Sequence, residues 1–155
     1  MRVIFDTNIW ISFLIGKKLS PLITILLNPD TEVCYSAELE REFLDVAHRT
    51  KIRKYVDEKQ IKRVHGLMTN CCRFETTKKK DISVRDPKDL FLLWLADETK
   101  ADLLVTGDLD LLSLKQYHNT SIVSFETALS TISMLVGGTT DFTNFLDLCN
   151  YEWNE

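Results

Sequence analysis

Apolar positions along the chain fall into short continuous runs separated by stretches where they recur every three or four residues. Arg2–Phe5 is such a run and reads as a buried strand. Asn8–Ile15 reads as helical, and Pro21 suits the first turn of a second helix that reaches Leu27 and stops at Asn28-Pro29-Asp30. Glu32–Tyr35 is a short strand pattern. Ser36 then suits an N-cap, with Glu38 and Glu40 in the turns where acids match the helix dipole. Leu39, Phe43, Val46 and Ala47 follow at helical spacing, and Ile61, Val64 and Met68 mark another amphipathic helix over Asp57–Asn70. Thr76–Val84 reads as a basic loop. Asp86-Pro87 is a helix-start signal, and the Leu90–Ala96 run behind it is apolar all round, so that helix is expected to be central and buried. Asp102–Thr106 and Ser121–Ser124 read as strands, followed by a helix over Glu126–Leu135. Strands alternating with helices predict an α/β domain whose parallel sheet is covered on both faces. Such sheets bind ligands beyond the carboxyl ends of their strands.

The length of 155 residues suits one domain with a self-sufficient core. No repeat or linker-like stretch divides it. With 45% hydrophobic and 27% charged residues, the composition excludes a disordered or fibrous chain. No apolar run is long enough to span a bilayer, and Asp6 and Asn8 interrupt the N-terminal apolar stretch, so neither a membrane segment nor a signal peptide is expected. Cys34, Cys71, Cys72 and Cys149 match neither a disulfide framework nor a zinc CxxC pair, and they read as reduced, mostly buried thiols of a cytoplasmic protein.

The net charge of −4 argues at first against a polyanionic partner, but the average hides an asymmetry. Arg41–Arg85 holds 13 Lys/Arg against 6 Asp/Glu, while the remainder is strongly acidic. A basic block inside an acidic chain suits a surface that meets phosphates, although it equally suits a solvated helical face. Within it, Arg49, Arg53, Lys54, Lys62 and Arg63 are the candidates to bind a polyanion through its phosphates. Residues 137–155 go the other way, with four acids and no Lys or Arg.

The acids fall at telling places. Asp6 follows the first strand directly, and Asp108 follows the strand ending at Thr106, so both sit where such folds place their sites. Glu42 borders the apolar face of its helix, and Asp86 and Asp89 stand at the start of the most hydrophobic helix. Carboxylates arriving from distant segments at one edge repel and raise one another's pKa unless a cation compensates. Hard oxygen donors suit Mg²⁺ or Mn²⁺. Each acid also has a plainer role: Asp6 ends a strand, Glu42 is a solvated helix acid, Asp86 and Asp89 form a capping pair, and Asp108 and Asp110 are turn acids opening the next helix.

Asp6-Thr7-Asn8 after an N-terminal strand resembles the opening of PIN-domain ribonucleases. So do Ser36, Leu39 and Glu42 on an early helix, Arg85-Asp86-Pro87-Lys88-Asp89 before an apolar helix, and Val105-Thr106-Gly107-Asp108-Leu109-Asp110. The likeness covers roughly residues 1–130, and its specificity lies in the order and spacing of four motifs that are individually weak. The branch it most resembles is the PIN-family toxin of bacterial and archaeal type II toxin–antitoxin systems.

The resemblance implies a three-layer α/β/α fold with a central parallel sheet over residues 1–136, with 137–155 as an acidic C-terminal tail outside the catalytic pattern. It implies Mg²⁺- or Mn²⁺-dependent endonucleolytic cleavage of RNA, with Asp6, Glu42, Asp89 and Asp108 as the catalytic, metal-binding acids. Asn8 and Thr106 match polar helpers, and Asp86 and Asp110 match acids that recur in this branch as candidate further metal contacts. In the expected mechanism, metal-activated water attacks the scissile phosphorus in line, and none of His48, His65 and His118 is required as a base. The resemblance further implies a small antitoxin and a homodimer. Ile9, Trp10, Phe13 and Leu14 are candidates to line a groove for the antitoxin's helix, and they read equally as core. Two rival readings are a metal-dependent phosphomonoesterase, whose Asp-x-Asp pattern is absent at Asp6, and a catalytically inactive RNA-binding scaffold.

Overall fold

The computed structural model of the chain describes residues 1–16, 19–82 and 87–136. Six strands form one sheet in the order β3-β2-β1-β4-β6-β5. They are β1 (Arg2–Phe5), β2 (Glu32–Tyr35), β3 (Arg73–Phe74), β4 (Leu103–Val105), β5 (Gln116–Tyr117) and β6 (Thr120–Val123). All neighbours run parallel except β5, which closes the far edge as an antiparallel hairpin with β6. The helices are α1 (Thr7–Gly16), α2 (Ser20–Leu27), α3 (Ala37–Ala47), α4 (Thr50–Arg53), α5 (Glu58–Cys71), α6 (Leu90–Thr99), α7 (Leu109–Leu114) and α8 (Phe125–Val136).

Successive side chains of a strand point to opposite faces, yet Val3, Ile4 and Phe5 of β1 are all fully buried. Both faces of the sheet centre are therefore covered, which gives three layers, α/β/α. Phe5 meets Trp10 and Phe13 of α1 and Phe125 of α8 in edge-to-face contacts with ring centroids 5.8, 5.9 and 6.2 Å apart. Ile9, Trp10, Phe13 and Leu14 are all buried in this cluster. They are core, so the reading of them as lining a partner groove is overturned: β1 and the neighbouring helices α3 and α5 already cover α1.

Local chemistry sets most element ends. Ser36 caps α3 by accepting from the Leu39 N–H. Asp57 and Gln60 form a reciprocal capping box that opens α5. The expected helix start at Asp86-Pro87 differs in kind: Pro87–Asp89 is a 3₁₀ turn, and α6 proper begins at Leu90. Its Leu92, Leu93, Leu95 and Ala96 are buried, as an all-apolar run requires. The short elements α4, β3 and β5 are additions to the sequence reading. Cys34 is buried, but Cys71 is exposed at the end of α5 and Cys72 half-buried, which corrects the expectation of mostly buried thiols; Cys149 and the tail 137–155 lie outside the described residues. Among the described residues no helix is long and apolar enough to cross a membrane.

Candidate active site

The site grows from the carboxyl ends of β1 and β4, which are hydrogen-bonded neighbours. The Asp6 N–H donates to the Val105 carbonyl at 2.9 Å, so the chain leaving β1 is held against the end of β4. The Asp6 carbonyl then accepts from the N–H groups of Ile9 and Trp10 and starts α1. The Asp6 carboxylate is thus fixed from its own backbone and lies almost wholly buried.

One hydroxyl ties the two strand ends together. Thr106 Oγ1 donates to Asp6 Oδ2 at 2.7 Å and accepts from the Asp108 N–H at 3.0 Å. Asp108 in turn accepts from the Asp110 N–H at 2.9 Å and caps α7. From the other side Thr7 Oγ1 donates to Glu42 Oε2 at 2.6 Å, so the residue after Asp6 orients the acid of α3. Asp89, also buried, arrives from the 3₁₀ turn before α6.

These acids share one cleft of about 190 Å³, lined by Asp6, Glu42, Asp89 and Asp108 together with Thr7, Asn8, Arg49, Val46, Phe91 and Leu92. Burial is the largest influence on Asp6 and pushes its carboxyl above the ordinary range. Hydrogen bonds from Thr106 and Thr7 work against this, while the Glu42 and Asp108 carboxylates raise it further. Four carboxylates on one cleft, with Asp6 the most buried side chain among them, fit a divalent cation in donor chemistry. Among the described residues, however, no three His, Cys, Asp or Glu side chains already form a group able to hold a metal.

Of the other candidates, only Asn8 and Arg49 line the cleft among the described residues. Asn8 is exposed on the cleft wall. Asp110 bonds to Asp108 through its backbone and does not line the cleft. Asp86 lies outside the described residues. Of the basic residues, Arg49 lines the cleft and pairs with Asp45 at 3.2 Å. Arg53 pairs with Glu58 at 3.0 Å, and Lys54 is exposed beside it. Lys62 and Arg63 are exposed on α5, where Arg63 lines a separate small cavity with Leu14 and Leu19 at the opposite end of α1 from Thr7. None of the three histidines lines the cleft. His48, His65 and His118 contact Glu58, Glu40 and Asp97 instead. Thr7 stands in the Asp6-Thr7-Asn8 motif, but its role of orienting Glu42 is not legible there. Val46, Phe91 and Leu92 escaped the sequence reading because residues buried in a core and residues walling a cleft share one apolar pattern.

Residues 2–110 match the family model of the PIN domain, a span that holds every acid of the cleft. Among curated proteins none matches the chain. PIN domains are generally metal-dependent nucleases that act on RNA. By its mostly parallel sheet, by the acids gathered at the strand ends and by that match, the chain belongs to the PIN domain family.

Proposed function

We propose that this protein is a Mg²⁺- or Mn²⁺-dependent endoribonuclease, the cytoplasmic toxin of a toxin–antitoxin pair, acting as a homodimer restrained by a small antitoxin. The observation that carries the nuclease reading is the convergence of Asp6, Glu42, Asp89 and Asp108, from four distant segments, on one cleft. In this reading those four acids hold the cation, directly or through water. Like-charge repulsion is the physical reason that they stand apart without it. A bound divalent ion would supply Lewis acidity toward water and the phosphate. The chain's own residues do the rest. Thr106 and Thr7 hold Asp6 and Glu42 in orientation. Arg49 on the rim meets the phosphodiester, Asn8 and Asp110 support the wall and the Asp108 turn, and Val46, Phe91 and Leu92 limit water.

The rival reading is a catalytically inactive RNA-binding scaffold on the same fold. Calorimetry with Mg²⁺ and Mn²⁺ separates the readings: the nuclease binds at least one ion and loses it in Asp6→Asn, whereas a scaffold binds neither. Incubating the purified protein with total RNA and Mn²⁺ should create new ends at defined positions, and Asp6→Asn should create none. Unchanged cutting by that variant would remove Asp6 from the mechanism. Coexpression with the product of the small open reading frame beside the gene tests the toxin reading. That reading fails if the product neither binds nor relieves growth arrest. Light scattering tests the dimer.

A further inference from the structure

The carboxylate cleft repels a polyanion, so the affinity for a nucleic acid has to come from the surface leading out of it. Two large aromatic side chains are well exposed within the basic block, Tyr55 at 59% and Phe74 at 50%. Their surroundings differ in charge. Phe74 packs its ring against Tyr35 and is followed by Glu75, with Glu32 and Glu38 on the adjoining segments; Arg73 is consumed by ion pairs to Glu32 and Glu75. Tyr55 closes a stretch, Arg49–Val56, that holds four cations and no acid.

That stretch is continuous with the cleft. Arg49 lines the cleft; the Arg53 N–H bonds the Arg49 carbonyl across the single turn of α4, and the Tyr55 N–H bonds the Ile52 carbonyl in the turn that follows. The helix between them is a single turn, about 6 Å long at 1.5 Å per residue, so Arg49 and Tyr55 lie within the reach of a few nucleotides of one strand. Val56 is buried and Ile52 packs on the core, so the strip is anchored from beneath. Glu58 engages Arg53 and Asp45 engages Arg49, but Lys51 and Lys54 make no ion pair among the described residues.

We infer that Arg49–Tyr55 is the track on which an unpaired RNA strand leaves the cleft, with one base stacked on the Tyr55 ring. The combination of cations along a path and an exposed ring at its end is how single strands are held without sequence reading. A duplex keeps its bases stacked inside and offers the ring nothing, so the track selects single-stranded over paired substrate. The inference takes the identity of the polyanion from the nuclease reading.

The test measures binding of a labelled oligouridylate, and of its duplex with oligoadenylate, in EDTA so that no turnover intervenes. Tyr55→Ala should weaken single-strand binding by about ten-fold or more and leave duplex binding unchanged. Tyr55→Trp should restore it, and Phe74→Ala should leave it within about two-fold of wild type. The exposed position of Tyr55 makes unfolding of these variants a poor explanation of any loss, and circular dichroism checks it. The inference is overturned by single-strand affinity that survives Tyr55→Ala, by an equal loss on the duplex, or by an equal loss in Phe74→Ala. A protein that cuts RNA but ignores Tyr55→Ala sinks this inference alone. One that binds through Tyr55 but never cuts supports the track and sinks the nuclease reading.

Discussion

Asp6 is held in a position that opposes its own charge. Burial raises its pKa first, and Glu42 and Asp108 add to it, so the folded protein keeps the Asp6 proton more tightly than the unfolded chain does. A carboxyl whose folded pKa is raised favours the fold at low pH, and that contribution is lost as pH rises through the folded value. At neutral pH, without metal, ionised Asp6 therefore costs stability. Asp6→Asn should raise the melting temperature of the metal-free protein while it abolishes cleavage, a gain that a purely structural acid would not give. Differential scanning calorimetry in EDTA reads it; a lower melting temperature in the variant would argue against buried charge as the source. Thr7 gives a second prediction at this scale. Thr7→Val removes the hydroxyl that orients Glu42 and should lower metal affinity or activity by about 10- to 100-fold, while Thr7→Ser retains it. Equal losses in both variants would mean that packing, not the hydrogen bond, is what Thr7 supplies.

Between elements, Asp97 of α6 joins three segments. Its carboxylate accepts from Tyr117 Oη at 2.9 Å and His118 Nδ1 at 2.8 Å in the β5–β6 hairpin, and from Lys80 Nζ at 3.4 Å in the basic loop. The loop is also held by Trp94 Nε1, which donates to the Lys80 carbonyl at 2.8 Å. Burial works against the Asp97 charge, but the hydrogen bonds from His118 and Tyr117 and the Lys80 ammonium outweigh it and hold its carboxyl below the ordinary value. Burial and the bond to Asp97 push the Tyr117 phenol up to about 12, so it stays a donor throughout the physiological range. A depressed folded pKa contributes stability that is present above the unfolded value, near 4, and lost as pH falls through the folded one. Asp97→Asn should therefore cost on the order of 1–2 kcal/mol at neutral pH. Urea titrations should show that gap closing below about pH 4; a gap that persists in acid would point to packing instead.

Across the whole molecule the basic block divides. Arg49 lines the cleft, with Arg53 and Lys54 on the helix and turn that follow it, whereas Arg63 lines a cavity at the far end of α1 and Lys62 is exposed on the same helix, α5. Neutralising the first three should reduce the salt dependence of single-strand binding by about 2 in log–log slope, at roughly 0.7 per phosphate contact. Neutralising Lys62 and Arg63 should change it less, and the reverse order would move the RNA path to α5. The sequence by itself determined the layer order of the fold, because burial on both faces leaves continuous apolar strands and burial on one face leaves a helical stripe. It also determined the place of Asp6 and Asp108, since a strand end is a local fact. It could not reveal α4, β3 and β5, which span four residues or fewer and carry no period of their own. Nor could it decide whether Ile9, Trp10, Phe13 and Leu14 face a partner or the core, because both demand the same apolar residues. Tertiary structure alone brought Thr7 to Glu42 across 35 residues and Thr106 to Asp6 across 100. It also separated Arg49 from Arg63, which lie in one charge run along the chain. Periodicity records how each segment meets its surroundings, whereas a site is set by which surroundings meet, and only the folded sheet chooses those.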